Sequence, residues 1–288
     1  VATIGEAAVG DALGAAVDAF RAVGIEDPRL DAEVLLAEAI GWDRATIVAN
    51  PEAALPAPAG RHFGEMVRRR LRREPVAYIL GRKGFRRIEL AVDRRVLIPR
   101  PETEMLVELA LELEPASVLD VGTGSGAIAL AIADELPGCE ITATDTSSAA
   151  LEVARGNAER IGLADRVRFL ETSLPEGERF DMVIANLPYI AEHDWATLAP
   201  ELRDWEPQAA FRAGPDGLDA IRWLLSEDSV RRLWRYPPQV ANGEAVVALE
   251  VGEGQAPAVE ELLRGVGFVE VEIRRDLAGI ERIVIGKR

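Results

Sequence analysis

At 288 residues the chain can hold one large α/β domain and a smaller one, on a prior of roughly 100–200 residues per domain. Hydrophobic residues at 48% and charged residues at 28% describe a globular chain with a core to bury, while a formal charge of −16 argues against a nucleic-acid partner, which needs basic surface. The lone cysteine, Cys139, excludes an intramolecular disulfide and a cysteine metal cluster, and two histidines, His62 and His193, exclude a histidine-rich metal site. Cys139 is expected as a small buried hydrophobe. Apolar runs all fall short of the ~20 residues a bilayer requires. The first residues carry no basic segment, so a cytoplasmic protein is expected.

The first ~75 residues have helical patterning. Thr3-Ile4-Gly5-Glu6 has capping-box spacing, and Ala7, Ala8, Leu13, Val17 and Phe20 recur on one face before Gly24. A second helix is predicted over Leu30 to Ile40, with Gly41 as its stop. A third follows the Pro51 to Pro58 stretch and ends in the arginine run Arg68-Arg69-Arg70, expected as a solvated face. Glu74-Pro75 breaks this pattern. Strand character then marks Gly84 to Val92 and Arg95 to Ile98, with Asp93 between them, which predicts a hairpin. Beyond Pro101, strand-like runs at Ser117–Val121, Glu140–Thr144, Val167–Leu170, Phe180–Ala185 and Ala245–Val251 alternate with helical segments, the pattern of a parallel sheet wrapped by helices. Val269–Ile273 and Ile280–Ile285 are expected to close the sheet as edge strands.

Asp120-Val121-Gly122-Thr123-Gly124-Ser125-Gly126 joins a buried strand to a helix through a turn rich in glycine. Such a turn brings backbone N–H groups close to a ligand at a helix N-terminus. Asp145 ends the next strand, where a carboxylate can accept both ribose hydroxyls of a nucleoside. Gly122-x-Gly124-x-x-Ala127 also satisfies a relaxed dinucleotide fingerprint. Asp120, two residues before the first glycine, is expected to face the loop, where it suits a cationic amino-acid ligand and repels pyrophosphate. That combination favours S-adenosyl-L-methionine.

Asn186-Leu187-Pro188-Tyr189-Ile190 directly follows the apolar run Met182–Ala185, at the carboxyl end of a predicted strand, where α/β sheets bind ligands. An amide nitrogen is a poor nucleophile because its lone pair is delocalised. The Asn186 side-chain oxygen and the carbonyl after it can accept the two amide hydrogens and free that lone pair. Pro188 stiffens the carbonyl, and Tyr189 offers a flat wall for a planar group. No general base is needed before transfer, in keeping with the shortage of histidine and lysine.

These motifs resemble the release factor glutamine N5-methyltransferases, the PrmC/HemK family, over nearly the whole chain. Glu74-Pro75-Val76-Ala77-Tyr78-Ile79-Leu80-Gly81 is similar to the family's linker, and Ile98-Pro99-Arg100-Pro101-Glu102-Thr103-Glu104 to its signature. Glu206-Pro207, Gly214-Pro215-Asp216-Gly217-Leu218, Leu249-Glu250-Val251-Gly252 with Gln255, and Asp276-Leu277-Ala278-Gly279 with Arg282 follow in order. The fold implied is α/β: a Rossmann-like class I methyltransferase domain with a mostly parallel seven-stranded sheet (101–288), an N-terminal helical substrate-recognition domain (1–76) and a linker with a β-hairpin (77–100). The activity implied is methyl transfer from S-adenosyl-L-methionine to the glutamine of the Gly-Gly-Gln motif of peptide chain release factors, without direct nucleic acid and without a membrane. By the same resemblance Asp120, Gly122, Thr123, Gly124, Ser125, Gly126, Asp145, Ser173 and Asn186 contact the cofactor, and Asn186, Leu187, Pro188 and Tyr189 bind the glutamine. Leu187 stands where the family usually has a second proline, and Thr172 where it commonly has an acid. The Asn-Leu-Pro-Tyr form resembles ribosomal RNA adenine dimethyltransferases, so an adenine-N6 methyltransferase acting on RNA or DNA is the alternative, disfavoured by charge and by the linker.

Overall fold

The computed structural model describes residues 7–233 and 245–288; the Thr3–Glu6 capping box lies outside them. Within the described residues two compact units form. One comprises the chain to Gly81 together with Pro200–Trp205, and the other Arg82–Ala199 with Glu206–Arg288.

The first unit is helical: α1 (Val9–Ala22), α2 (Pro28–Ile40), α3 (Arg44–Ala49), α4 (Ala57–Leu71) and α5 (Val76–Leu80). Val9, Phe20, Leu35, Leu36, Phe63 and Met66 form its core. Pro28 opens α2 where a missing N–H costs nothing, and Gly41 closes it at φ 76°. Two helices go beyond the sequence reading. α3 is a six-residue helix capped by Asp43, which accepts from Thr46 N–H at 2.6 Å. α5 starts directly after Pro75, so that proline both ends one pattern and opens another. Both are too short to display a helical period.

The arginine run is a correction. Arg70 is buried, donating from Nε to Asp31 Oδ2 at 2.7 Å and pairing with Glu201 at 2.8 Å. Arg69 grips Glu74 through two donors, at 2.9 and 2.6 Å. Of the three only Arg68 is exposed, as expected.

The second unit begins with a hairpin of β1 (Arg82–Phe85) and β2 (Ile88–Ala91). Its turn is Arg86-Arg87, not Asp93, and Arg95–Ile98 is not a strand, so the predicted hairpin is displaced toward the N-terminus. Next come α6 (Glu104–Leu113), β3 (Ser117–Val121), α7 (Ala127–Glu135), β4 (Glu140–Asp145), α8 (Ser148–Arg160), β5 (Val167–Glu171) and β6 (Met182–Ala185). α9 (Pro200–Trp205) belongs to the first unit. α10 (Asp219–Leu224), α11 (Glu227–Leu233), β7 (Val246–Glu250), α12 (Ala256–Gly265), β8 (Glu270–Arg275) and β9 (Glu281–Lys287) complete the second.

The seven strands lie in the order β5-β4-β3-β6-β7-β9-β8, the first five parallel and β9 antiparallel to both its neighbours. β8 is therefore an edge, whereas β9 lies inside the sheet, contrary to expectation. Side chains alternate between two cores: Val118, Ile184 and Ala248 face α6 and α7, while Leu119, Val183 and Val247 face α10 and α12. Cys139 is buried, and burial pushes its thiol up to about 11. No described helix is long and apolar enough to cross a membrane. The strand order reverses direction between β3 and β6, and the crevice above their carboxyl ends is where such sheets bind ligands.

Candidate active site

The glycine turn grows out of β3. Gly122, Gly124 and Gly126 all adopt the left-handed region, at φ 76°, 56° and 84°. Gly122 and Thr123 donate their N–H groups to the Thr144 carbonyl at 2.9 Å each, tying the turn to the end of β4. Gly124 N–H donates to Asp145 Oδ2 at 3.0 Å, and Ser147 N–H to Asp145 Oδ1 at 2.8 Å. Asp145 is thus anchored through both oxygens while keeping lone pairs for a ligand. A side chain on Gly124 would meet nothing within 4 Å, so the turn presents open backbone.

Asp120 behaves differently from the sequence reading. It is fully buried on the α7 side, where Oδ2 accepts from the Thr123 hydroxyl at 2.6 Å and from Ala129 N–H at 3.3 Å. Burial pushes its carboxyl up to about 7 against those two donors, and Oδ1 has no partner. Asp120 and Thr123 brace the turn from beneath.

β6 is buried on both faces and ends at Ala185, so Asn186 is the first residue beyond it, and Pro188 shortly after cannot donate to a ladder. Ala185 lies opposite both Val121 and Leu249, so Asn186 emerges beside the glycine turn. A β-carbon on Gly122 would come within 3.3 Å of Leu187 Cδ2. Asn186 Nδ2 donates to Thr103 Oγ1 at 3.0 Å.

The scattered family-like motifs converge on this loop. Gln255 Nε2 donates to the Tyr189 carbonyl at 2.9 Å while its Oε1 accepts from Gly252 N–H at 2.9 Å. A β-carbon on Gly217 would lie 2.3 Å from the Tyr189 carbonyl, and one on Gly252 3.2 Å from the Tyr189 ring. Glu206 accepts from Ile98 N–H at 3.0 Å and from Arg100 at 2.5 Å; Asp276 accepts from Arg282 Nε at 2.9 Å. Burial pushes the Tyr189 phenol up to about 12, Glu250 adding to that and Arg282 and Arg100 opposing it.

A cavity of about 310 Å³ opens here, within the usual range for small-molecule sites. Gly122, Gly124, Asp145, Ser173, Asn186, Leu187 and Pro188 line it, bringing together residues named from separate motifs. Asp120, Thr123, Ser125, Gly126 and Tyr189 lie outside that lining, as supports of the two loops. The sequence reading missed Val96, Leu97, Ala210 and Trp223. Trp223, 41% exposed on α10, is a large aromatic left half in water, and only its place at the rim distinguishes it from other surface residues.

The family model for the PrmC N-terminal domain matches residues 11–81, and one for a methyltransferase domain matches residues 118–205. The release factor glutamine methyltransferase of Caulobacter vibrioides is 40% identical over 279 residues, covering 94% of this chain and 93% of its own. That of Xylella fastidiosa (strain Temecula1) is 43% identical, covering 90% and 93%. Among solved structures, the hMettl16 catalytic domain in complex with MAT2A 3'UTR hairpin 6 aligns with a TM-score of 0.54 at 16% identity, over 68% of this chain and 75% of that one, a likeness of fold. With identity at that level along nearly its whole length, the chain belongs to the release factor glutamine methyltransferase family.

Proposed function

We propose that this chain transfers the methyl group of S-adenosyl-L-methionine to the side-chain nitrogen, N5, of the glutamine in the Gly-Gly-Gln motif of peptide chain release factors. The observation that carries this reading is the position of Asn186 and Leu187, which line one cavity with Gly124 and Asp145 at the switch point of the sheet. The residues fit the cofactor: Gly124 has open space where a side chain would stand, and Asp145 has lone pairs left for two ribose hydroxyls. Ser173 and Thr172 line the same cavity, and in this reading they flank the adenine. When bound, S-adenosyl-L-methionine supplies an electrophilic methyl carbon on a sulfonium sulfur.

The chain's own residues orient the acceptor. Asn186 Oδ1 and the Leu187 carbonyl accept the two amide hydrogens and turn the nitrogen lone pair toward the methyl carbon. Pro188 fixes the direction of that carbonyl, and Gln255 holds the next turn of chain in place. In this reading residues 1–76 recognise the release factor, 77–100 form the linker and 101–288 carry out transfer, in the cytoplasm and without direct nucleic-acid contact.

The test is incubation with methyl-labelled cofactor and recombinant release factor, followed by peptide mass spectrometry. Label on the tip glutamine, absent with Asn186→Ala, is the expected result. Label on RNA adenine, or on another residue of the release factor, overturns the proposal.

A further inference from the structure

Glu250, the last residue of β7, is 2% exposed, and its Oε2 has no hydrogen-bond partner. A carboxyl group so placed is costly unless something nearby uses it. Because Ala185 lies opposite Leu249 in the parallel ladder, the next positions along are Asn186 and Glu250. Thr103, itself buried, stands at both of them. Asn186 Nδ2 donates to its hydroxyl oxygen at 3.0 Å, so the Thr103 proton must point elsewhere, and the neighbouring acid is Glu250, whose carboxyl the Thr103 hydroxyl helps to pull down.

A threonine hydroxyl has one proton and two lone pairs. With its proton directed to a carboxylate, its oxygen toward Asn186 can only accept. The Asn186 amide must then turn its NH₂ to Thr103, leaving Oδ1 as the end that meets an incoming N–H. Without the carboxylate, the hydroxyl proton is free to swing toward Asn186, and a flipped amide offers NH₂ to an acceptor that is itself NH₂. Two donors facing each other make no hydrogen bond.

We infer that Thr103 and Glu250 are positioning residues for methyl transfer: the buried carboxylate takes the Thr103 proton and so holds the Asn186 amide with its oxygen toward the acceptor. The inference rests on the reading of the site as one that grips a carboxamide. It absorbs a buried acid and a signature threonine that the transfer chemistry otherwise leaves without a task.

The relay has a pH dependence. Burial pushes the Glu250 carboxyl up to about 7; Thr103, Arg282 and Arg100 pull it down and Glu102 adds to the rise. Tyr189 also faces it and stays neutral through this range. A protonated Glu250 can donate to Thr103 and release the hydroxyl proton toward Asn186. Turnover should therefore fall as pH drops below about 7, along a single-proton limb.

The experiment combines kinetics with a readout that needs no acceptor. Thr103→Val and Glu250→Gln should each lower kcat about tenfold or more, with cofactor Kd changed less than about threefold, and Thr103→Ser should restore most of the rate. In cofactor-bound wild type, the ¹⁵N side-chain resonance of Asn186 should titrate once near pH 7, and in Glu250→Gln it should not. An unchanged titration in Glu250→Gln, or Thr103→Val with wild-type kcat, overturns the inference. Should the wild type methylate no release-factor glutamine, the carboxamide reading fails, and the resonance still decides whether Glu250 orients Asn186. If Glu250→Gln does not fold, the wild-type titration compared with Thr103→Val decides the same point.

Discussion

A β-carbon at Gly217 would stand 2.3 Å from the Tyr189 carbonyl and 2.6 Å from Gln255 Nε2, at a φ of 79° that side chains rarely adopt. Gly217→Ala is therefore expected to push the Asn186 loop out of position while leaving the opposite wall of the cavity, with Gly124 and Asp145, in place. Turnover should drop by about tenfold or more while cofactor affinity changes little, which kinetics and calorimetry on one preparation would separate. Asp145→Ala should do the reverse. It removes a charged acceptor and also the partner of Gly124 N–H, so cofactor affinity measured by calorimetry should fall about 10- to 100-fold. At this scale the sequence was informative wherever a residue's task is set by its immediate neighbours. Gly122, Gly124, Asp145 and Asn186 are legible because a strand end, a glycine turn and a proline fix their surroundings locally. Asp120 and Thr123, expected at the cofactor, bond to each other beneath the turn and lie outside the cavity lining. Which side of β3 a carboxylate faces depends on α7 packing over it, a tertiary fact that spacing does not carry.

Elements show the same division between local and distant causes. The hairpin was expected around Asp93 because turn residues mark turns, yet the chain turns at Arg86-Arg87, with Arg86 at φ 51° and no glycine or asparagine to announce it. What holds that unfavourable turn comes from elsewhere. Glu104 accepts Arg86 N–H at 3.0 Å, and Glu135 takes its guanidinium at 2.9 and 3.0 Å. β2 is pinned in turn by Asn157 of α8, fully buried, whose Oδ1 accepts from Ala91 N–H at 2.7 Å and whose Nδ2 donates to the carbonyls of Ala91 and Ser125 at 3.0 and 2.9 Å. Asn157→Ala would strand three backbone groups at once, one of them in the glycine turn. A loss of about 2–4 kcal/mol in urea unfolding is expected, with cofactor affinity weakened as well because the Ser125 carbonyl loses its anchor. Stability unchanged within error would mean that water replaces the side chain and the pin is dispensable. Arg70 follows the same logic: its partner Glu201 arrives from α9, remote in sequence, so the run of arginines could not reveal that one of them is buried.

For the whole molecule, two buried carboxyl groups, Asp120 and Glu250, dominate the pH dependence of stability near neutrality. Asp120 and Glu250 both have folded-state values near 7, raised first by burial, against 3.8 and 4.5 for the free groups. Between those limits the folded chain holds protons that the unfolded chain has released. Their contribution is complete below about pH 4 and is lost as pH rises toward 7. Several carboxylates drawn into ion pairs work in the opposite sense, Glu33, Glu135 and Glu178 among them. They are held below the ordinary range, so above pH 5 their contribution is constant. The interval between pH 5 and pH 8 spans the protonation change of both Asp120 and Glu250, and a variant at one of them separates its share from that of Asp31, which burial also raises. Asp120→Asn keeps the shape of the side chain, and its oxygen can still accept from Thr123 and Ala129. Wild type should lose stability over this interval, and the variant should lose about 2 kcal/mol less, because one of the two protons no longer leaves on unfolding. Urea unfolding of both proteins at the two pH values measures the difference directly. Parallel profiles would mean that Asp120 carries its charge throughout, and the glycine turn would then rest on a buried anion rather than on a carboxyl group that shares its proton with the solvent near neutral pH.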